Sequence, residues 1–440
     1  MAEKEITMAY DVVVVGNGPF GLSLGVALAR RGSRVAVVGT PWTPPAAALL
    51  ETFGDVTPRL LDSEHGRIRL DWTVQAAKLW PDWLAGLEAD VLTADGTLVV
   101  LNTMGLPEVD TANFGAIRTA LEQYDEPFEA VDPDEFEWLD PEPVARPLRA
   151  LYLPTEHAVD ATGLQAGLVR AFQAAGGELV AEGVVRLVRA GRVDGVVLES
   201  GTVLNAAAVV LADDVHAAAL LPGEAETPRI VSSSVVSALV DTDDGTIPPY
   251  VVRTPQRAFA AATYAVPHRS GQVQLGATEV VAGSAPDAPP VADVMHVLNA
   301  AARQIRRDLG EGSISTLQLA GQPVAVDGMP LVGETAVEGL WLLTGPNLTL
   351  APLLAEELAT AVLGGEPALD LTPFQPTRSP IDALTRSGIV AATVTHLLAG
   401  GYETNWIAPV EWPALLEATV VTELHRRPPA ITGELEVRLR

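Results

Sequence analysis

Six residues near the start of the chain, Gly16-Asn17-Gly18-Pro19-Phe20-Gly21, have the types and spacing to hold a phosphate. Gly16 permits a tight turn, Gly18 leaves room for a pyrophosphate against the backbone, and Gly21 lets a following helix pack close to a sheet. The N–H groups at that helix start, with the positive end of its dipole, favour an anion. Dinucleotide binding is the chemistry to expect.

The elements that must position these glycines flank them directly. Tyr10 to Val15 is an apolar run of strand type, the stretch to Arg30 has helical character, and Arg34 to Val38 is a second apolar strand, which together make a βαβ unit. Such a site ordinarily closes with an acidic side chain at the tip of the second strand, where it accepts hydrogen bonds from ribose. Here the tip reads Val37-Val38-Gly39-Thr40 and carries no carboxylate, so Thr40 is the side chain left to offer a hydroxyl. Losing a hydrogen bond to a charged group costs about 1.5–3 kcal/mol, which weakens a nucleotide site about ten- to a hundredfold without emptying it.

Composition narrows the class. The 440 residues suffice for two domains with substantial cores. Hydrophobic residues at 48% and charged residues at 19% describe a folded globular chain. Asp and Glu outnumber Lys and Arg 56 to 28, and the net charge of −28 repels nucleic acid and anionic lipid, so neither is expected as a partner. With no cysteine, disulfides, thiolate nucleophiles and thiolate metal sites are excluded. The start has no basic segment followed by an apolar run, and no stretch of eighteen apolar residues occurs, so a cytoplasmic location is expected.

Further along, Pro41 to Leu50 reads as a loop leading into a helical stretch, and Asp71 to Leu87 as one helix. Gly96 to Leu101 reads as a strand, and residues 105–157, rich in Pro, Asp and Glu, as loops with short elements. A helix capped at Asp160 runs to Ala175, followed by strands near 178–181, 184–188, 193–198 and 207–211. Residues 230–280 alternate as strands do, 291–309 as a helix, Gly321 to Gly333 as a turn-rich return, Gly339 to Thr344 as a strand and Ala351 to Leu363 as a helix. The tail suggests helices near Ile381–Leu398 and Trp412–Arg426.

The order of these segments resembles the D-amino-acid oxidase and glycine oxidase family of FAD-dependent oxidoreductases. Five blocks carry the resemblance: residues 11–38; Gln75 to Trp83 with Gly96-Thr-Leu-Val-Val; Val159-Asp-Ala-Thr-Gly-Leu164 with Val184; Tyr264 to Gly271 with Leu275-Gly-Ala-Thr278; and Asp327-Gly-Met-Pro-Leu-Val-Gly333 with Leu350-Ala-Pro-Leu-Leu. They span most of residues 10–365. The resemblance implies an α/β fold with a discontinuous, Rossmann-type FAD-binding domain from residues 1–95, 158–228 and 323–370. It implies an inserted α+β substrate domain on a mostly antiparallel sheet, residues 96–157 and 229–322, leaving 371–440 as a C-terminal helical extension.

By the same resemblance FAD is held non-covalently by Gly16, Asn17, Gly18, Pro19, Phe20 and Gly21, with Thr40 near the ribose. Ala47, Ala48 and Leu49 fall beside the flavin ring, and Val184, Gly328, Gly345, Asn347, Leu348 and Thr349 are further cofactor contacts. Tyr264, His268, Gln322 and Met329 are the substrate-binding candidates, and no catalytic residue is assigned. The chemistry implied is hydride removal from a C–N bond with oxygen as acceptor.

Departures from the family pattern fall on these contacts. Gly39 replaces the ribose carboxylate, Ala46-Ala47-Ala48 replaces a glycine-containing turn, and Asp213-Asp214-Val215-His216 places carboxylates where FAD phosphates would lie. The Gly345-Pro346-Asn347 loop is short. Gln322 stands where an arginine often binds the substrate carboxylate, and a neutral amide has no charged fork. A larger, uncharged or modified substrate in specialised metabolism is therefore expected. Gln322 packed in a turn and His268 merely solvated are the plainer readings of those two residues. Asp213, Asp214 and His216 lack a second cluster at ligand spacing, so no metal is expected. Two other functions stay open: a redox-neutral cyclase or isomerase on the same scaffold, and a non-catalytic subunit. A small-molecule substrate is the expected partner, with a homodimer formed through the extension.

Overall fold

Four valines, Val12 to Val15, are each at most 3% exposed and form the buried half of the strand Met8–Val15. β-Branched residues suit a strand covered on both faces. In the computed structural model, which describes residues 8–40, 44–88, 90–212, 219–256, 262–282 and 287–381 and a few isolated positions beyond, this strand lies inside an eight-stranded sheet. Its neighbours are Val203–Ala212 and Val35–Val38, both parallel. Outward from these lie Leu340–Thr344 and Glu178–Val180, again parallel, and Leu331–Glu334 closes one edge antiparallel. The meander Val184–Ala190 and Arg192–Leu198 joins antiparallel to Val203–Ala212. Helices Pro19–Arg30, Ala161–Ala174 and Ala351–Val362 pack into the core on one face. This is the expected Rossmann-type α/β arrangement.

The second sheet runs Ser313–Ala325, Ile230–Asp241, Val273–Ala282, Tyr264–Pro267, Val251–Arg253, Thr97–Asn102, Pro147–Leu153 and Glu129–Val131. Its pairings are antiparallel except that between Val251–Arg253 and Thr97–Asn102. Helix Val291–Gln304 covers one face, with Val297 and Ala301 against Ala238, Val240 and Leu275. Ile230–Asp241 and Ser313–Ala325 register along their whole length, from Ile230 opposite Ala325 to Asp241 opposite Ser313. Ala325 sits in the nucleotide-sheet core, whereas Ala238 and Val240 sit beneath the helix.

Several local expectations are corrected. Ala47–Leu50 is a strand rather than the entry to a helix, and it pairs antiparallel with His157–Asp160. Asp71 to Leu87 belongs to two helices, Glu64–Ala77 and Trp80–Gly86, because Pro81 starts a new one. Within the acidic stretch 105–157 lies the helix Pro107–Gln123, whose Phe114, Ile117, Ala120 and Leu121 are buried. Gln322 is in a strand, not a turn; Pro323 is accommodated because Ser313–Ala325 is an edge strand. At the other end, Phe374 is fully buried edge-on to Trp72, and Arg378 pairs with the buried Asp327, so residues 371–381 pack against the nucleotide core. Asp213, Asp214 and His216, and the expected helices beyond 381, lie outside the described residues, isolated positions apart.

Candidate functional site

The glycine turn follows the strand Met8–Val15. Gly16 has φ +117°, a conformation that favours glycine, and its N–H donates to the Val38 carbonyl at 2.8 Å. A Cβ on Gly21 would lie 2.0 Å from the Gly16 carbonyl oxygen, so only glycine lets the helix come this close. A Cβ on Gly18 would meet nothing within 4 Å, and Gly18 caps the helix without a side chain, with Pro19 opening the first turn. The first-turn N–H groups therefore border open space that suits a pyrophosphate. Phe20 is buried with its ring over Gly345, where a Cβ would approach it to 2.5 Å.

At the tip of the second strand Asn17 occupies the approach. Its side-chain amide donates to the Thr40 carbonyl at 2.9 Å and to the Gly39 carbonyl at 3.3 Å, and the Asn17 backbone carbonyl accepts from the Gln165 side chain at 2.7 Å. A Cβ on Gly39 would stand 3.2 Å from the Asn17 side chain. The absence of a larger residue at 39 thus goes with a tip closed by Asn17, and Thr40 is exposed beside it. Val184 starts the meander and is half-buried. Gly328 has φ +69°, and its carbonyl accepts from Arg69.

The strand Ala47–Leu50 lies between the two sheets. Gln274 accepts from the Ala47 N–H at 2.6 Å and donates to the Ala47 carbonyl at 3.2 Å, while Gln318 accepts from the Ala46 N–H at 2.9 Å. Leu49 packs with Val251, Val266 and Tyr264, and Ala48 against the nucleotide core. Registers place Gln318 and Gln322, two turns of alternation apart, on one face of the second sheet with Gln274, Tyr264 and Arg253. That face is opposite the helix-covered one and faces the Ala46–Leu50 segment. A polar floor results.

On the other side, Thr349 donates to the Glu51 carbonyl at 2.9 Å and accepts from Trp80 at 2.9 Å. The neighbouring Asn347 Oδ1 is buried without a protein partner, an orphaned acceptor of the kind a ligand N–H would satisfy. Leu348 and Met329 pack on the nucleotide core. His268 is in the hairpin turn beyond Pro267; Nδ1 contacts Ser270 Oγ at 2.7 Å, within that turn. The structure thus brings Tyr264 and Gln322 to one face of the second sheet, with His268 in a turn at its edge and Met329 on the nucleotide core.

Composition and motifs gave no sign of the charged cluster at one end of this floor. Arg253 is 1% exposed; it donates to Glu156 at 3.1 Å and lies 3.4 Å from Glu51, and its Nη1 has no hydrogen-bond partner. Glu156, fully buried, also accepts from the Thr52 and Phe53 N–H groups at 3.0 and 2.7 Å. Burial works against the Arg253 charge, but Glu156 and Glu51 outweigh it and hold the guanidinium above its usual range. Glu51 is 20% exposed. Burial, opposed by Arg253 and aided by Glu156 and Asp55, pushes its carboxyl up to about 7. Burial likewise pushes the Tyr264 phenol up to about 12, against a hydrogen bond from Gln274, so it stays protonated near neutral pH. Among the described residues no group of His, Asp and Glu could hold a metal ion, and no helix is long and apolar enough to cross a membrane.

Known proteins share this fold. The family model for FAD dependent oxidoreductases, DAO, matches residues 11–361. Glycine oxidase of Geobacillus kaustophilus is 26% identical over 382 residues, covering 85% of this chain and 98% of the relative. D-amino acid dehydrogenase of Cereibacter sphaeroides is 27% identical over 426 residues, covering 82% and 93%. The crystal structure of the Geobacillus glycine oxidase superposes with a TM-score of 0.71 at 24% identity over 84% of this chain and 99% of that one. NikD, an unusual amino acid oxidase essential for nikkomycin biosynthesis, superposes at 0.68 with 20% identity, over 86% and 100%.

Proposed function

Since this chain belongs to the DAO family of FAD-dependent oxidoreductases, we propose that it binds FAD non-covalently and oxidises a C–N bond of a small molecule lying on the floor formed by Gln274, Tyr264 and Gln322. The observation that carries the reading is the open, side-chain-free start of helix Pro19–Arg30 at Gly18. Gly16 to Gly21 would hold the pyrophosphate, Thr40 would meet the ribose, and the buried Asn347 Oδ1 would take an N–H from the ring end. Bound there, FAD supplies the hydride acceptor. The site is weaker than one closed by a carboxylate, because Asn17 takes up the Gly39 and Thr40 carbonyls and no acid stands at the strand tip.

What the chain itself does is position and exclude. Gln274 and Gln318 fix the Ala46–Ala47 backbone against the floor, so substrate and ring are held in one layer. Tyr264 presents a phenolic donor to that layer. Gln322 offers an amide and no charge, which supports a substrate larger or more modified than a free α-amino acid. NikD, an unusual amino acid oxidase essential for nikkomycin biosynthesis, has this fold. A small-molecule substrate, with neither nucleic acid nor lipid as partner, fits the net charge of −28.

Purified protein should carry flavin absorbance or acquire it on reconstitution with FAD, bleach anaerobically with an amine substrate, and form peroxide in air. Protein that takes up no FAD would overturn the reading. Substrate conversion without bleaching and without mass change would point instead to redox-neutral use of the scaffold.

A further inference from the structure

The floor beside Ala46–Leu50 has a charge pattern. Its far end carries the neutral amides of Gln318 and Gln322, and its middle the neutral Gln274 and Tyr264. Among the described side chains of this face, from Ser313–Ala325 across to Val251–Arg253, Arg253 is the one cation, and it is 1% exposed between two carboxylates. Glu156 is saturated by Arg253 and two backbone N–H groups, which makes that pair neutral and enclosed. Asp55 has its own cation in Arg69, at 3.5 Å.

Glu51 is left as the excess negative charge of the cluster, and it alone of Glu51, Arg253 and Glu156 reaches beyond the protein interior. Its Oε1 is turned to Arg253, while its Oε2 lies over Gly54, where a Cβ would sit only 2.1 Å away. Thr349 holds the Glu51 backbone from the nucleotide side, and Oε1 lies 3.4 Å from Arg253, which stands at the end of the floor, so the carboxylate sits beside that end. Such a site attracts a cation and repels a carboxylate.

We propose that Glu51 is the substrate-recognition group, and that it takes the ammonium of an amine that bears no free carboxylate. The inference rests on the proposed function for the identity of the pocket, and it names the substrate class. On binding, the ammonium donates an N–H to the Glu51 carboxylate, and no covalent bond is made or broken.

The test is titration calorimetry on the purified full chain, incubated with FAD, using n-butylamine and n-butyrate as separate probes. Butylamine should bind and butyrate should not. Glu51→Gln should weaken butylamine about ten- to a hundredfold, the loss expected for one charge-assisted hydrogen bond. Glu51→Asp should recover part of that loss. Gly54→Val, which fills the space of Oε2 without touching the charge, should weaken the amine by an independent route should the glutamine variant fail to fold. Butyrate binding as tight as butylamine, no butylamine binding by the parent chain, or unchanged binding in a folded Glu51→Gln protein would each overturn the proposal. Flavin content, read on the same sample, separates the two readings: amine binding by protein that takes up no FAD retains Glu51 and removes the oxidoreductase assignment.

Discussion

Replacing Gln274 with leucine removes both hydrogen bonds that fix Ala47 to the floor, with little change in volume. Gln274 is 3% exposed, so neither the Ala47 N–H nor its carbonyl gains water in exchange. A buried group stripped of its partner costs about 1–3 kcal/mol, and two such groups give about 2–6 kcal/mol. Gln318→Leu is the control: it strands one N–H at a half-buried place, for a loss of about 1 kcal/mol. Urea unfolding of the two variants and the parent, each loaded with FAD, gives the comparison directly. The Gln274 variant should lose at least twice the stability of the Gln318 variant and release FAD at lower denaturant. Equal losses would refute the idea that Gln274 is the main tie between the Ala46–Leu50 strand and the second sheet.

Gly18→Ala should leave stability within about 0.5 kcal/mol of the parent, since its Cβ meets no protein atom, yet sharply reduce FAD uptake on reconstitution. Gly21→Ala, whose Cβ falls 2.0 Å from the Gly16 carbonyl oxygen, should lose both FAD uptake and about 1–3 kcal/mol of stability, read by thermal melting. For Glu51 the pH dependence has a definite sign. Its folded carboxyl titrates near 7 against about 4.5 when free, so ionising it costs more in the folded chain, and its contribution to stability falls as pH rises between those values. Glu51→Gln should therefore gain stability relative to the parent between pH 5 and pH 8, by up to about 3 kcal/mol; a difference that is flat with pH, or that falls, would contradict the assignment.

The parts legible in the sequence were those held by local pattern. Val12 to Val15, the three glycines and the Asp160 cap each specify their element within a few residues, and the helix capped there runs Ala161–Ala174 with Asp160 accepting from Gly163. Ala47–Leu50 was hidden because alanine and leucine favour helix, and the strand exists through pairing with His157–Asp160 and through Gln274. Phe114, Ile117, Ala120 and Leu121 did carry a helical period, but the surrounding proline and acid content obscured it. Gly321 and Pro323 look like turn residues until the edge position of their strand is known. The Glu51, Glu156 and Arg253 cluster joins residues about a hundred positions apart, and no spacing in the chain announces it. Only the fold could bring these three together.

The ladder between Ile230–Asp241 and Ser313–Ala325 has a consequence for motion. It begins in the core of the nucleotide sheet and ends beneath the helix of the second sheet, without leaving the paired register except for one shift near Leu239. A hinge needs a few residues whose φ and ψ can change without breaking pairing. Away from that shift these two strands are paired throughout, so bending the second sheet along their length would mean tearing backbone hydrogen bonds. Any change in the gap between the two layers is thereby left to the connections beyond the ends of this ladder.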